Sequence, residues 1–104
     1  MKKYLWAYLV TALFLAAGYL LANNDVPDRT FSREQLARFN GDDGEKAYVA
    51  IDGIVYDVTP VKEWSGGRHK HGLRAGKDHS FEIIRAPHGK TVLRMLSKVG
   101  RYRE

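Results

Sequence analysis

The chain has 104 residues, a net charge of +5 and no cysteine. This length allows one small domain, and the absence of thiols excludes disulfides, thiolate zinc sites, iron–sulfur ligation and covalent attachment of a c-type haem. The basic excess is modest, and basic residues are not interleaved with aromatic ones. We therefore expect no nucleic-acid partner.

The N-terminal region contains an uncharged, mostly apolar stretch over residues 4–22. At ~1.5 Å per residue this stretch would span ~28 Å, about the thickness of the hydrocarbon core of a bilayer. Lys2 and Lys3 precede it, so the positive-inside rule predicts a cytoplasmic N-terminus (residues 1–3), a cell-membrane anchor and a periplasmic remainder. A cleavable signal peptide is the alternative. We favour an uncleaved anchor, because the stretch is longer than the usual hydrophobic region of a signal peptide.

A short polar linker, residues 23–29, precedes the functional domain, residues 30–104. Ser32-Arg33-Glu34-Gln35 has the pattern of a capping box, which predicts a helix that ends at Asn40-Gly41. The domain is therefore expected to begin with a helix.

A β-hairpin is predicted next. Two runs of β-branched and aromatic residues, 47–51 and 54–58, flank Asp52-Gly53. Both turn residues tolerate positive φ, as the tight turn of such a hairpin requires. Residues 61–64 are then expected to form a helical turn.

Two short helices and a strand complete the predicted domain. The first helix is capped by Asp78 or Ser80 and ended by Pro87. The second helix covers residues 91–97, and Val99-Gly100 is expected in a last edge strand. The order predicts an α+β domain in which a small mixed sheet supports pairs of helices.

Two histidine-bearing turns lie on either side of the first of these helices. They are Gly66-Gly67-Arg68-His69-Lys70-His71-Gly72 and Pro87-His88-Gly89. Turns rich in Gly and Pro aim a side chain from a fixed backbone, and two imidazoles across an apolar slot could fill both axial positions of a haem iron. A zinc or copper site built from the histidines is the alternative without haem. His79 is expected at the surface.

Apolar residues near these turns are the expected walls of the slot, and basic residues are candidate partners of the haem propionates. The wall candidates are Leu73, Phe81, Ile84, Val92, Leu93 and Leu96, and the propionate candidates are Arg74, Lys90 and Arg94. For Leu93 and Leu96 we favour an ordinary core role over direct haem contact, and for the three basic residues we favour solvated surface over a propionate role. Trp64 is expected in the core beneath the hairpin rather than at the haem edge, and Met95 on a buried helix face.

In order and spacing, residues 30–102 resemble the cytochrome b5-like haem-binding family. The resemblance rests on the hairpin sequence of residues 47–59, on Ala75-Gly76-Lys77-Asp78 and on Pro87-His88-Gly89. In that family the second axial histidine lies ten residues after this aspartate, which implies that His88 is a ligand. The implied fold is a small mixed sheet with helix pairs that form a haem crevice.

The resemblance nominates two candidates for the first axial histidine, because the His-Pro-Gly-Gly motif of ordinary cytochrome b5 is absent. The bacterial branch, with the pattern Trp-x-x-Gly-x-His, nominates His69. The membrane-associated progesterone receptor branch has a tyrosine ligand at the place of His71. We favour His71, because the spacing between Thr59 and Asp78 then needs no gap, and His69 stays open.

The implied function is that of a membrane-anchored b-type cytochrome, which holds haem b non-covalently and transfers single electrons outside the cytoplasm. Two protein ligands leave no iron position for a substrate, so we expect an electron carrier rather than an enzyme. We also expect a monomer and a membrane-associated redox partner protein. The alternative is a non-redox module that binds haem or a sterol-like ligand for sensing or delivery.

Overall fold

The computed structural model describes residues 25–86 and 89–104 and contains a five-stranded mixed sheet. The strands are β1 Thr30–Phe31, β2 Tyr48–Ile51, β3 Ile54–Asp57, β4 Lys77–Asp78 and β5 Ser97–Tyr102. The helices are α1 Arg33–Ala37, α2 Ser80–Arg85 and α3 Gly89–Leu93. The strand order is β1-β5-β3-β2-β4, with β1–β5 and β2–β4 parallel and the other two pairs antiparallel. The predicted α+β class with a mixed sheet is confirmed.

The β2–β3 hairpin forms at the predicted turn. Asp52 has φ 51° and Gly53 has φ 78°, both in the left-handed region that an Asp-Gly turn can adopt. Successive side chains of β2 point to opposite faces of the sheet, so Val49 enters one core and Ala50 the other.

Both faces of the sheet are covered, and each has its own core. The first core consists of Ala47, Val49, Ile51, Tyr56, Val58, Trp64 and Ala75, with half-buried Ile54, Val61, Leu73, Ile83, Leu93 and Leu96 packed against it. The second core consists of Phe31, Leu36, Tyr48, Ala50 and Val55, with Phe39, Val99 and Tyr102 against it. Helices α2 and α3 thus lie over the first core and α1 over the second.

The capping box at the start of α1 is confirmed. The Ser32 hydroxyl accepts from the Gln35 N–H at 3.1 Å, and the Gln35 side-chain oxygen accepts from the Ser32 N–H at 2.8 Å. The helix ends at Ala37, before the predicted stop. The chain leaves the helix there, and the ring of Phe39 stacks on that of Tyr48, with centroids 4.6 Å apart.

Three expectations for the C-terminal segment are wrong. Strand β5 lies inside the sheet rather than at its edge, because the two-residue β1 pairs along its outer side. The second helix ends at Leu93 rather than reaching residue 97, which already belongs to β5. Met95, expected to be buried, is 80% exposed in the turn that follows α3.

The predicted membrane anchor, residues 4–22, lies outside the described residues. Within residues 25–86 and 89–104, no helix has the length and apolar character that crossing a membrane requires.

Candidate functional site

Trp64 packs beneath the first histidine-bearing turn, residues 66–72. It lies in the segment Lys62–Gly67, a tight turn that follows β3, where its N–H donates to the carbonyl of Val61 at 2.9 Å. Its side chain is 7% exposed and belongs to the first core. The expected core position of Trp64 is confirmed. Its ring packs under the histidine loop, residues 67–75, whose outgoing arm carries His69 and whose returning arm is residues 73–75.

His69 is held at two points by the same turn. Its ring stacks on Trp64, with centroids 4.5 Å apart and planes inclined by 8°, and its Nδ1 lies 2.9 Å from the carbonyl oxygen of Glu63. A carbonyl can only accept, so Nδ1 carries the proton and Nε2 of the neutral ring keeps its lone pair. An imidazole fixed through one nitrogen with the other free is the arrangement of metal-ligating histidines.

His71 is placed differently. It is exposed, in the short turn Lys70–Gly72, and its backbone is left-handed with φ 64°. Histidine tolerates this conformation better than most residues, so the loop tip itself accounts for its presence. The spacing argument favoured His71, whereas the geometry favours His69 as the candidate ligand.

His79 is buried, and the expectation of a surface residue is wrong. The residue is only 4% exposed, its ring centroid lies 5.9 Å from that of Trp64, and its Nε2 donates to the carbonyl of Arg74 at 2.5 Å. Its Nδ1 is buried without a hydrogen-bond partner among the described residues, 3.6 Å from a carboxylate oxygen of Glu82.

A sequence signal for the burial of His79 did exist. Ile83 lies four residues later, its N–H donates to the His79 carbonyl at 3.0 Å, and its side chain packs against the first core. Residues four apart share one side of a helix, so a core position at Ile83 also indicates one at His79. The N-cap of α2 is His79, whose side chain makes no capping bond, so the expected cap at Asp78 or Ser80 is wrong. The Asp78 carboxylate, one residue before the N-cap, accepts from the Ser80 N–H at 2.9 Å.

The wall candidates fall into two groups. Leu73, Leu93 and Leu96 are half buried against the first core. They contribute to the core, and their contact with haem stays a prediction. Phe81 and Val92 are 65% and 44% exposed, on α2 and α3. Single exposed apolar side chains are common on protein surfaces, so the wall role of these two residues stays a prediction.

For two of the ligand and wall candidates the structure describes no side chain. His88 falls in the gap between α2 and α3, and the side chain of Ile84 is also not described. Both stay predictions. Among the described residues, no group of three His, Asp or Glu side chains could hold a metal ion, and the bare metal site gains no support there.

Arg74 forms an ion pair with Asp42. One terminal nitrogen of its guanidinium lies 2.8 Å from both carboxylate oxygens, and both side chains are about 40% exposed. The pair ties the returning arm of the histidine loop to the turn Asp42–Gly44. The propionate role of Arg74 stays a prediction. Arg94 is exposed, and the side chain of Lys90 lies outside the described residues.

A small cavity on the other side of the sheet is not this site. It measures about 150 Å³ and is lined by Arg29, Thr30, Phe31, Gln35, Arg38 and Phe39. Pockets that enclose a small-molecule ligand usually measure about 300–1,000 Å³. The cavity is also bordered by side chains of the second core, whereas the histidines stand over the first.

Residues 32–103 match the family model described as "Cytochrome b5-like Heme/Steroid binding domain". The chain belongs to this family. The α+β sheet and helices described above are therefore a cytochrome b5-like fold, and the family character of the domain is binding of haem or steroid.

The cytochrome b5-like domain is similar to solved and curated proteins. A Hadesarchaea cytochrome b5 domain protein is 45% identical, with a TM-score of 0.68 over 72% of this chain and 99% of that chain. Probable steroid-binding protein 3 of Arabidopsis thaliana is 47% identical over 51 residues, 48% of this chain and 51% of the relative. Membrane-associated progesterone receptor component 2 of Homo sapiens is 36% identical over 52 residues, 50% of this chain and 23% of the relative. The chain thus spans about half or less of these curated relatives.

Proposed function

We propose that the domain binds haem b non-covalently, with His69 and His88 as the two axial ligands. The observation that carries the proposal is the His69 ring, which is fixed by the Glu63 carbonyl and by Trp64 with Nε2 left as an acceptor. Family membership supports a haem-class ligand, and the absence of cysteine leaves only non-covalent attachment.

The chain would contribute contacts of two kinds. Leu73, Phe81, Val92 and Leu93 would supply apolar contact to the porphyrin, since each is an incompletely buried apolar side chain of the histidine loop, α2 or α3. Burial of Phe81 and Val92 against a ligand would remove exposed apolar surface from water and favour binding. When bound, haem supplies a reversible one-electron couple of its iron.

Electron transfer is the activity that this ligand set supports best. With His69 and His88 both holding the iron, the protein would offer no iron position to a substrate and would act as a carrier rather than an independent enzyme. The length and apolar character of residues 4–22, preceded by Lys2 and Lys3, support a domain anchored on the periplasmic side of the cell membrane, which we propose to be monomeric. Its partner would be a membrane-associated redox protein.

The test uses the full chain, purified in detergent and titrated with haem. We expect a low-spin absorption spectrum with sharp bands on reduction, full recovery on reoxidation, and no change when carbon monoxide is added. Carbon monoxide needs a free iron position. A high-spin spectrum, or ready binding of carbon monoxide, would contradict a carrier with two histidine ligands.

A second candidate function is the binding of a steroid-like ligand without redox activity. It is favoured by the steroid-related names of the Arabidopsis and human relatives and by the exposed apolar side chains of Phe81 and Val92. Progesterone titrated into the haem-free chain tests it, with the change in tryptophan fluorescence relative to a Trp6→Phe variant as the signal from Trp64. Saturable binding that Phe81→Ser abolishes would support this candidate, and no saturable binding would reject it.

A further inference from the structure

We propose that His79 is a positioning residue for His69, which it holds in place through the histidine loop and Trp64. The inference rests on the proposed role of His69 as an axial ligand. It concerns a buried imidazole that neither the hydrophobic core nor a ligand role accounts for.

The first link runs through the backbone of the histidine loop. The His79 Nε2–H donates to the carbonyl of Arg74, on the returning arm of this loop. Two backbone hydrogen bonds join the returning arm to the arm that carries His69. The His69 N–H donates to the Leu73 carbonyl at 2.9 Å, and the Ala75 N–H donates to the Gly67 carbonyl at 2.8 Å. A shift of the Arg74 carbonyl would therefore move the backbone of His69.

The second link runs through Trp64. The indole stacks on the His69 ring at 4.5 Å and also contacts His79, with ring centroids 5.9 Å apart and planes inclined by 42°. His79 thus contacts both supports of the ligand ring, the loop and the indole. Removal of its ring would open space beside Trp64 and release the plane of the His69 imidazole.

Histidine is an energetically unfavourable side chain at the buried position 79. Its Nδ1 is buried without a hydrogen-bond partner among the described residues, which an apolar side chain of similar size would avoid. What an apolar side chain cannot do is donate to the Arg74 carbonyl. The hydrogen bond of Nε2 is therefore the feature that explains this residue.

His79 also joins the loop to the rest of the fold. Its own N–H donates to the carbonyl of Ala50 in β2 at 2.8 Å, and its carbonyl accepts from Ile83 in α2. Through its hydrogen bond to Arg74, His79 therefore fixes the position of the histidine loop relative to the sheet and to α2, the helix that precedes His88. Residues that hold a metal-ligating side chain in its orientation, without contacting the metal, affect the affinity of the site for the metal.

The experiment compares three variants of the full chain. His79→Gln places an amide N–H near the position of Nε2, His79→Asn is the matched amide that is too short to reach the Arg74 carbonyl, and His79→Leu removes the donor. In the haem-free protein, long-range proton–nitrogen NMR measures the tautomer of His69. In the haem-loaded protein, electron paramagnetic resonance measures the g-values that report axial-ligand orientation.

We expect Asn and Leu to lose the single Nδ1–H tautomer of His69, to shift the g-values and to lower haem affinity about 10-fold or more, whereas Gln retains all three properties. Folded Asn and Leu variants with unchanged His69 signals would overturn the inference, as would a Gln variant as impaired as Asn. If Asn and Leu fail to fold, NMR of the unmodified protein decides: a proton on Nε2 of His79 supports the inference, and a proton on Nδ1 alone overturns it.

Failure of the underlying ligand proposal would look different. A His69→Ala variant that retains the low-spin spectrum would remove His69 as a ligand. Loss of that spectrum in His69→Ala, together with silent His79 variants, would instead leave the ligand in place and remove only the positioning role.

Discussion

Gly67 and Asn40 touch through their backbones. A Cβ atom on Gly67 would lie 1.8 Å from the carbonyl oxygen of Asn40, and one on Gly41 would lie 2.6 Å from the amide nitrogen of Gly67. The turn that carries Trp64 is thus seated directly on the loop that follows α1. This contact joins the support of His69 to the first helix.

Replacement of Gly67 by alanine should therefore be strongly destabilising. The φ of +74° costs an L-residue ~1–2 kcal/mol, and the overlap with Asn40 adds ~1–3 kcal/mol, so the free energy of unfolding should fall by about 2–5 kcal/mol. Urea unfolding of the haem-free chain measures it. Gly66→Ala is the matched control, since its φ is +63° but no atom lies within 4 Å of the added carbon. Equal losses in the two variants would show that the backbone contact contributes nothing.

Trp64 and Phe81 should separate folding from ligand binding. Trp64 is buried, so Trp64→Ala should lower the free energy of unfolding by about 3–5 kcal/mol. Phe81 is 65% exposed, so Phe81→Ala should change it by no more than about 0.5 kcal/mol while weakening haem binding several-fold. Urea unfolding and haem titration of both variants provide the comparison. A Phe81→Ala variant with unaltered haem affinity would exclude this side chain from the wall.

Tyr56 makes the stability of the domain sensitive to alkaline pH. Burial, and secondarily the negative charge of Asp52, raise the pKa of its hydroxyl above the usual value of 10.0. A raised pKa in the folded state means that the contribution of Tyr56 is complete below pH ~10 and is lost as pH rises through the folded value. Unfolding in urea between about pH 8 and 11 should therefore show a smaller loss in Tyr56→Phe than in the parent. Identical pH profiles would contradict this assignment.

Burial and the charge of Glu104 also raise the pKa of Tyr102, so some alkaline loss should persist in the Tyr56 variant. Among the parent, Tyr56→Phe and the double variant Tyr56→Phe, Tyr102→Phe, the double variant should show the smallest loss of unfolding free energy as pH rises. If Tyr102→Phe alone removes the whole decline, Tyr56 is not the responsible group.

The capping box of α1 should behave as a coupled pair. Ser32→Ala should cost about 1 kcal/mol of unfolding free energy, because it leaves the Gln35 N–H without its acceptor. Gln35→Ala removes the reciprocal bond to the Ser32 N–H. The double variant should lose less than the sum of the two single losses, since each bond helps to orient the other. Strict additivity in urea unfolding would show that the two bonds act independently.

The features that could be predicted from sequence are those set by neighbouring residues. The Asp52-Gly53 turn and the Ser32–Gln35 cap each depend on local φ values and on side chains a few positions apart. Strands β1 and β4 have two residues each, too short for an alternating pattern, and they exist only because a distant strand pairs with them. The same cause put β5 inside the sheet rather than at its edge.

The histidines show the same division at the candidate site. Spacing singled out the loop that carries His69 and His71 and favoured His71. It could not reveal the stack of His69 on Trp64 or its hydrogen bond to Glu63, because both depend on how the turn folds. Burial of His79 depends on its contact with Trp64, a residue that lies fifteen positions earlier in the chain. Contacts between separate segments decide these roles.

The most direct test of the central claim is an absorption spectrum of the haem-loaded full chain, oxidised and reduced, for His69→Ala, His71→Ala and His88→Ala. Ligation by His69 and His88 predicts that the low-spin spectrum is lost in the first and third variants and kept in His71→Ala. A low-spin spectrum that survives His69→Ala, or one that disappears in His71→Ala, would contradict it.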